Sequence, residues 1–102
     1  MDAGWQRIDT RAEFIDIFAD KVLLGEDLRF TIHSSGDITG QAGGQDFFGS
    51  WYWEDGFFCR AVSSGEEDLG LDREVIERRG RHMRYTRQMG QGNSSVVVIE
   101  QV

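Results

Sequence analysis

A chain of 102 residues has the length of one domain, and a hydrophobic content of 39 % argues for a packed core rather than a disordered segment. The formal net charge of −7 argues against nucleic-acid binding, and no segment approaches the roughly 20 apolar residues of a membrane helix. A single cysteine cannot form an internal disulfide, and the N-terminus lacks the pattern of a signal peptide. We therefore expect residues 1–102 to form a single cytoplasmic domain that binds neither nucleic acid nor membranes.

The first predicted element is a helix within IDTRAEFIDIFADKV, residues 8–22. Thr10 followed by Glu13 has the spacing of a capping box, in which each side chain bonds the other residue's backbone N–H. Apolar residues then recur every three or four positions and form one buried stripe, which consists of Phe14, Ile15, Phe18, Ala19 and Val22. The helix should end before Gly25, which is a suitable C-terminal cap or turn residue.

After Gly25 the hydrophobic period changes to two, which predicts β-strands. Turns that contain Gly, Asp, Asn or Ser separate the predicted strands, and the polar stretch SSGEEDLG, residues 63–70, predicts a loop. The seven predicted strands cover residues 28–33, 37–42, 46–53, 57–62, 72–77, 81–87 and 94–100.

One helix followed by successive hairpins predicts an α+β fold. We expect an N-terminal helix and a strongly curved antiparallel meander of about seven strands, barrel-like because closure removes exposed edges. The helix should then cover one open end or one face of the sheet. The alternative is an open sheet whose uncovered face makes a homodimer.

The stretch GSWYWEDGFFCR is the densest aromatic segment of the chain, and Asp55-Gly56 at its centre is a strong signal for a two-residue hairpin turn. Such a turn places Tyr52 opposite Cys59 and Trp51 opposite Arg60, so that each pair shares a face of the sheet. Two interpretations of Arg60 stay open. The favoured one is a guanidinium stacked on a surface Trp51, and the other is an arginine inside a pocket, ready for a carboxylate or phosphate.

The sequence gives little support for catalytic or metal chemistry. A reactive Cys59 would need a lowered pKa, for example from His33 or His82, but no spacing requires that approach, and an inert core cysteine is favoured. The chain has no glycine-rich phosphate loop, no dinucleotide fingerprint and no Cys or His pair with zinc spacing. We therefore predict no catalytic residues, no cofactor and no metal site.

Six arginines lie around the predicted hairpin at RRG, namely Arg73, Arg78, Arg79, Arg81, Arg84 and Arg87. With a three-residue turn, Glu77 would face Arg81 and Glu74 would face Arg84, which favours cross-strand ion pairs of modest stability. The alternative is an anion-binding patch or a docking surface for an acidic partner, including the acidic N-terminal part of a second copy.

Two stretches, GSWYWEDGFFCR and LDREVIERRGRHMRYTRQMGQG, resemble a group of small bacterial proteins. Their pattern is G-x-W-x-W-x-D-G-x-F-C-R, then D-C-Q, then L-R-F-T and a Gly-rich turn. This chain matches the first part over Gly49–Arg60 and keeps Asp72, but it has Arg73-Glu74 in place of Cys-Gln. Members are often named dihydrodipicolinate reductase, an enzyme that needs a dinucleotide-binding domain for which this chain lacks the length and the fingerprint. The resemblance therefore implies a compact strand-rich domain and no such activity.

The leading functional hypothesis is a non-enzymatic domain that binds a small anionic or aromatic ligand in the curved sheet. The predicted ligand-binding residues are Trp51, Tyr52, Trp53, Arg60 and Arg84. A second hypothesis is an acidic protein-interaction or inhibitor module. A third is a small isomerase, cyclase or hydrolase that uses Tyr52, His33 or His82 as an acid–base group near Arg60.

Overall fold

The computed structural model describes residues 4–64 and 67–101 of the chain. The elements within these residues are β1 (Gln6–Arg7), α1 (Arg11–Phe18), β2 (Val22–Gly25), β3 (Leu28–Ile32), β4 (Asp37–Ala42), β5 (Gln45–Glu54), β6 (Phe57–Ser64), β7 (Glu67–Arg79), β8 (His82–Thr86) and β9 (Ser94–Ile99). A short 3-10 segment, Gln88–Gly90, lies between β8 and β9. In this part of the chain, no helix is long and apolar enough to span a membrane.

Strands β2 to β9 close into an antiparallel barrel of eight strands. Each strand pairs with its neighbour in the chain, and β9 also pairs with β2, so that the ring has no free edge. The two-residue β1 pairs with β7 beyond the end of β6. The predicted α+β class is therefore wrong, because the chain is mostly β-strand and its helix has only eight residues.

The sequence pattern predicted seven strands of the barrel, and β2 is the barrel strand that it missed. The helix ends at Phe18, because Asp20 adopts a left-handed backbone with φ 62°. The Asp20 carboxylate accepts hydrogen bonds from the Ser34 N–H at 2.9 Å and the Ser34 hydroxyl at 2.7 Å, which lower the pKa of Asp20. Val22 consequently belongs to a strand that pairs with both β3 and β9, and not to the helical stripe.

Helix α1 packs against one end of the barrel, where the turn between β5 and β6 lies. Half of the predicted capping box is confirmed, since Thr10 Oγ1 accepts a hydrogen bond from the Glu13 N–H at 3.2 Å. The other half differs, because Glu13 Oε1 accepts from the N–H of Asp9, also at 3.2 Å, and not from that of Thr10. Phe14 is fully buried, and its ring centroid lies 5.2–5.3 Å from those of three inward-facing aromatic rings, which belong to Trp51, Trp53 and Phe58. The helix therefore fills this end with apolar side chains.

The hairpin of β5 and β6 has the predicted two-residue turn. Asp55 and Gly56 have φ values of 53° and 82°, as a type I′ turn requires, and Trp51 lies opposite Arg60. The prediction of a loop over residues 63–70 is wrong for the described part of that stretch, because β6 extends to Ser64 and β7 begins at Glu67. Residues 65 and 66 lie outside the described residues.

The turn between β7 and β8 differs from the prediction by one residue. Gly80, with φ 60°, and Arg81 form a two-residue turn, so that Glu77 lies opposite Arg84. The predicted pairs Glu77–Arg81 and Glu74–Arg84 are wrong. Glu77 and Arg84 instead form a two-bond ion pair, with Nε–Oε1 at 2.8 Å and Nη2–Oε2 at 2.9 Å, while Glu74 faces the barrel interior.

Two glycines on the inner face let neighbouring strands approach closely. A Cβ on Gly40 would lie 2.5 Å from the carbonyl oxygen of Arg29, and one on Gly49 would overlap the carbonyl oxygen of Ala61. Neighbouring backbones therefore approach these positions more closely than a side chain would allow, which is a recognised use of glycine within strands.

Candidate functional site: a cavity inside the barrel

The barrel contains a cavity of about 400 Å³. It extends to the end opposite α1, because its lining includes Ala42 and Gln45, which flank the turn at Gly43 and Gly44. Alternate residues of each strand point inward, as in any small barrel, and most of those that line the cavity are apolar. The apolar wall is formed by Leu28, Phe30, Ile32, Ile38, Phe47, Val62 and Met83.

Aromatic side chains close the cavity on the helix side. Phe58 lines the cavity and is 4 % exposed, and its ring centroid lies 5.6 Å from that of Trp51. Trp51 Nε1 donates a hydrogen bond to the carbonyl oxygen of His33 at 2.8 Å, which satisfies its polar atom inside the core. Phe14 of the helix packs against both of these rings. The floor of the cavity is therefore formed by buried, packed aromatic rings.

Arg60 is the charged group at the centre of the cavity wall. Its Nε lies 3.4 Å from Glu74 Oε2 and its Nη2 lies 3.7 Å from Asp72 Oδ2. Only 16 % of its side chain is exposed, against 4 % for Glu74. The favoured interpretation of Arg60, a guanidinium stacked on a surface tryptophan, is wrong, because both Arg60 and the buried Trp51 lie on the inner face.

Glu74 is a buried carboxyl group in an apolar wall. Burial raises the pKa of Glu74, since desolvation disfavours the ionised form, and the nearby Asp72 acts in the same direction. The positive charges of Arg60 and Arg87 lower the pKa of Glu74 and offset part of this rise. Asp72 differs, because its Oδ1 accepts hydrogen bonds from the backbone N–H groups of Arg73 at 2.9 Å and Gln88 at 3.1 Å.

Arg87 and Tyr85 complete the polar lining of the cavity. Arg87 directly follows β8, and its guanidinium lies 5.8 Å from the centroid of the Tyr85 ring, a cation–π distance. Among the residues that the structure describes, no carboxylate oxygen lies within 4 Å of the Arg87 guanidinium. Arg87 is thus a half-buried cation whose hydrogen-bond donors remain available in the cavity lining.

The five residues predicted from the sequence to bind a ligand lie in three different places. Arg60 lines the cavity, and Trp51 forms part of its floor. Trp53 lies farther towards the helix, where its Nε1 donates a hydrogen bond to the carbonyl oxygen of Asp9 at 3.1 Å. Tyr52 and Arg84 are on the outer face of the barrel, the latter paired with Glu77 and 4.6 Å from the ring of Trp5.

The groups considered for catalysis are also outside the cavity lining. Cys59 is fully buried beneath the outer face, and burial raises the pKa of its thiol. His33 Nε2 lies 2.7 Å from the hydroxyl of Thr39 on the outer side of β4, and His82 is exposed. Within the described part of the chain, no three His, Cys, Asp or Glu side chains form a group that could hold a metal ion.

Three lining residues, Glu74, Tyr85 and Arg87, were not predicted as ligand-binding residues. Their signal is the alternation within each strand: Met83, Tyr85 and Arg87 share one face, and so do Glu74 and Ile76. Which face of β7 lies inside depends on the length of the turn at Gly80. The sequence pattern predicted three residues for this turn, whereas the structure has two.

The comparisons with known proteins give no match. No family model matches the chain, and neither a curated protein nor a solved structure does so. The function of the cavity is therefore argued from its own side chains.

Proposed function

We propose that this barrel is a non-enzymatic binding domain for one small molecule with an apolar or aromatic body and an anionic group. The observation that carries the proposal is the cavity of about 400 Å³, with its apolar wall and two arginines. Its volume falls within the roughly 300–1,000 Å³ of small-molecule sites, which combine apolar walls with a few placed polar groups.

The charges suggest how the ligand lies. Arg87 has no close carboxylate partner among the described residues, and Arg60 has only long contacts of 3.4 and 3.7 Å to its two carboxylates. An anionic group beside Arg87 and Tyr85 would gain charge-assisted hydrogen bonds without first breaking a short one. The apolar body would then lie along Ile38 and the other aliphatic side chains, towards the aromatic floor.

The acid–base groups expected from the sequence lie outside the cavity, and we assign the two such groups in its lining, Glu74 and Tyr85, to ligand binding. His33, His82, Tyr52 and Cys59 are all on the outer side of the barrel wall. A general base has to come within hydrogen-bond reach of its proton, directly or through one water, and these groups are separated from the cavity by the backbone of the sheet.

Two fluorescent probes that differ by one sulfonate group test the proposal. The anion 8-anilinonaphthalene-1-sulfonate and its neutral parent, N-phenyl-1-naphthylamine, both become brighter in an apolar site. We expect both to bind wild-type protein with one site per chain. Val62→Trp, which fills the cavity from its wall, should weaken both by about tenfold or more, since most of a ligand's surface is buried in such sites.

The matched control is Val96→Trp, the same change at an exposed position on the outer face. It should bind both probes as wild type does. Ala42→Trp, at the cavity mouth, repeats the block without disturbing the core, and thermal unfolding shows whether each variant is folded. Binding that survives both blocking variants, or that is lost equally in Val96→Trp, would contradict the proposal.

A further inference from the structure

The charges at the cavity wall cancel. Arg60, Arg87 and Glu74 line the cavity. Asp72 lies outside that lining, and the Arg60 guanidinium contacts both Asp72 and Glu74, so that two cations face two carboxylates. An anionic ligand would add one uncompensated negative charge inside an apolar wall. Uncompensated buried charge is costly, and a site of this kind usually neutralises itself by binding or releasing a proton.

Glu74 is the carboxylate placed to take that proton. It is the most buried charged residue in the wall, with 3 % of its surface exposed, and among the described residues the only hydrogen bond to its side chain is the 3.4 Å contact with Arg60. Asp72 is more exposed, and its Oδ1 already accepts two shorter backbone hydrogen bonds, from Arg73 and Gln88. The groups around Glu74 are Arg60 from β6, Asp72 from its own strand and Arg87 at the end of β8.

We infer that Glu74 sets the charge selectivity of the cavity, so that an anionic ligand binds together with one proton, which Glu74 holds. This inference rests on the proposed function. A neutral ligand of the same shape needs no proton and should bind equally well with Glu74 in either state. The cavity then accepts anions when Glu74 is protonated and discriminates against them when it is ionised.

Because proton binding and anion binding are thermodynamically linked, the direction in which the anion's affinity changes with pH is fixed. Burial already raises the pKa of Glu74, and an anion placed beside it would raise that pKa further. The protonated protein therefore binds the anion more tightly, and affinity falls as pH rises through the range in which Glu74 ionises. The steepest slope for one linked proton is tenfold per pH unit.

The same pair of probes tests this on the full chain between pH 5 and pH 8, where the sulfonate stays ionised and the neutral parent stays neutral. We expect the affinity for 8-anilinonaphthalene-1-sulfonate to rise about tenfold or more on going from pH 8 to pH 5. The affinity for N-phenyl-1-naphthylamine should change by less than about twofold. Glu74→Gln should bind the anion at pH 8 as wild type does at pH 5, without pH dependence.

Glu77→Gln is the matched control, because it is the same substitution on the outer face of the same strand. It should keep the wild-type slope. Titration calorimetry of probe binding in two buffers of different ionisation enthalpy measures the proton uptake of the wild-type protein directly. This measurement needs no variant, so it does not depend on whether a variant folds. Within the pH range in which affinity for the anion changes, we expect uptake of a substantial fraction of one proton with the anion and none with the neutral probe.

The outcomes separate the two claims. Anion binding to wild type that is independent of pH, or a pH slope retained in Glu74→Gln, overturns the role of Glu74 and leaves the proposed function standing. Failure of both probes to bind at any pH overturns the proposed function itself.

Discussion

Replacing Arg60 with methionine keeps an unbranched apolar stem but removes a cation that contacts both Asp72 and Glu74. Arg60 is 16 % exposed and Glu74 4 %, so water replaces little of the lost interaction. Removing one partner of a buried pair typically costs about 3–5 kcal/mol, because the other charge is left uncompensated. We expect the lower end, about 3 kcal/mol at pH 7, since the contacts are long and Arg87 remains nearby.

Urea unfolding at pH 7 and pH 5 measures this free energy. The loss of Arg60 raises the folded-state pKa of Glu74 further above its unfolded value, so the penalty is largest at high pH. As pH falls through the folded-state pKa, Glu74 binds a proton and the penalty shrinks. In the double variant with Glu74→Gln, about 2 kcal/mol should be recovered. A coupling energy below about 0.5 kcal/mol, together with a penalty that is independent of pH, would refute this account of the buried pair.

Two further predictions concern the core and the cysteine. Phe14→Ala should lower the free energy of unfolding by about 3–5 kcal/mol, because Phe14 is fully buried among three aromatic rings, whereas Phe14→Leu should cost clearly less in the same urea titration. Equal losses of unfolding free energy in the two variants would contradict the inference that the Phe14 side chain fills this end of the barrel. The Cys59 thiol should react with a disulfide reagent at pH 8 about 100-fold or more slowly in the folded protein than in urea, since it is fully buried and burial raises its pKa. Reaction at the unfolded rate would show that β6 opens readily.

The parts of the fold that were predicted correctly depend on local chemistry. Asp55-Gly56 specifies its turn whatever surrounds it, because both residues tolerate positive φ, and that turn fixed the partners of Trp51 and Arg60. The N-cap at Thr10 is local in the same way, since it depends on residues three positions apart. These features did not require knowledge of the rest of the barrel.

The missed parts depend on contacts between distant residues. Val22 continues the helical spacing from Phe14 and Phe18, so the sequence alone favours a longer helix. The structure ends the helix because Asp20 bonds to Ser34 and Val22 joins the sheet. The inward position of Glu74 was missed for a different reason. Val75 and Ile76 are both apolar, so alternation does not say which face of β7 is inside, and a turn shorter by one residue decides it.

The last strand of the barrel pairs with the first one. β9 lies between β2 and β8, with Leu23 opposite Ile99 and Met83 opposite Val97. The other pairings within the barrel join strands that are neighbours in the chain, so the contact of β2 with β9 is the one that closes the ring between distant segments. During synthesis the ring stays open until β9 has emerged from the ribosome, and β2 and β8 each expose an unpaired edge until then. Truncation before Ser94 therefore yields an open, aggregation-prone sheet and not a smaller barrel.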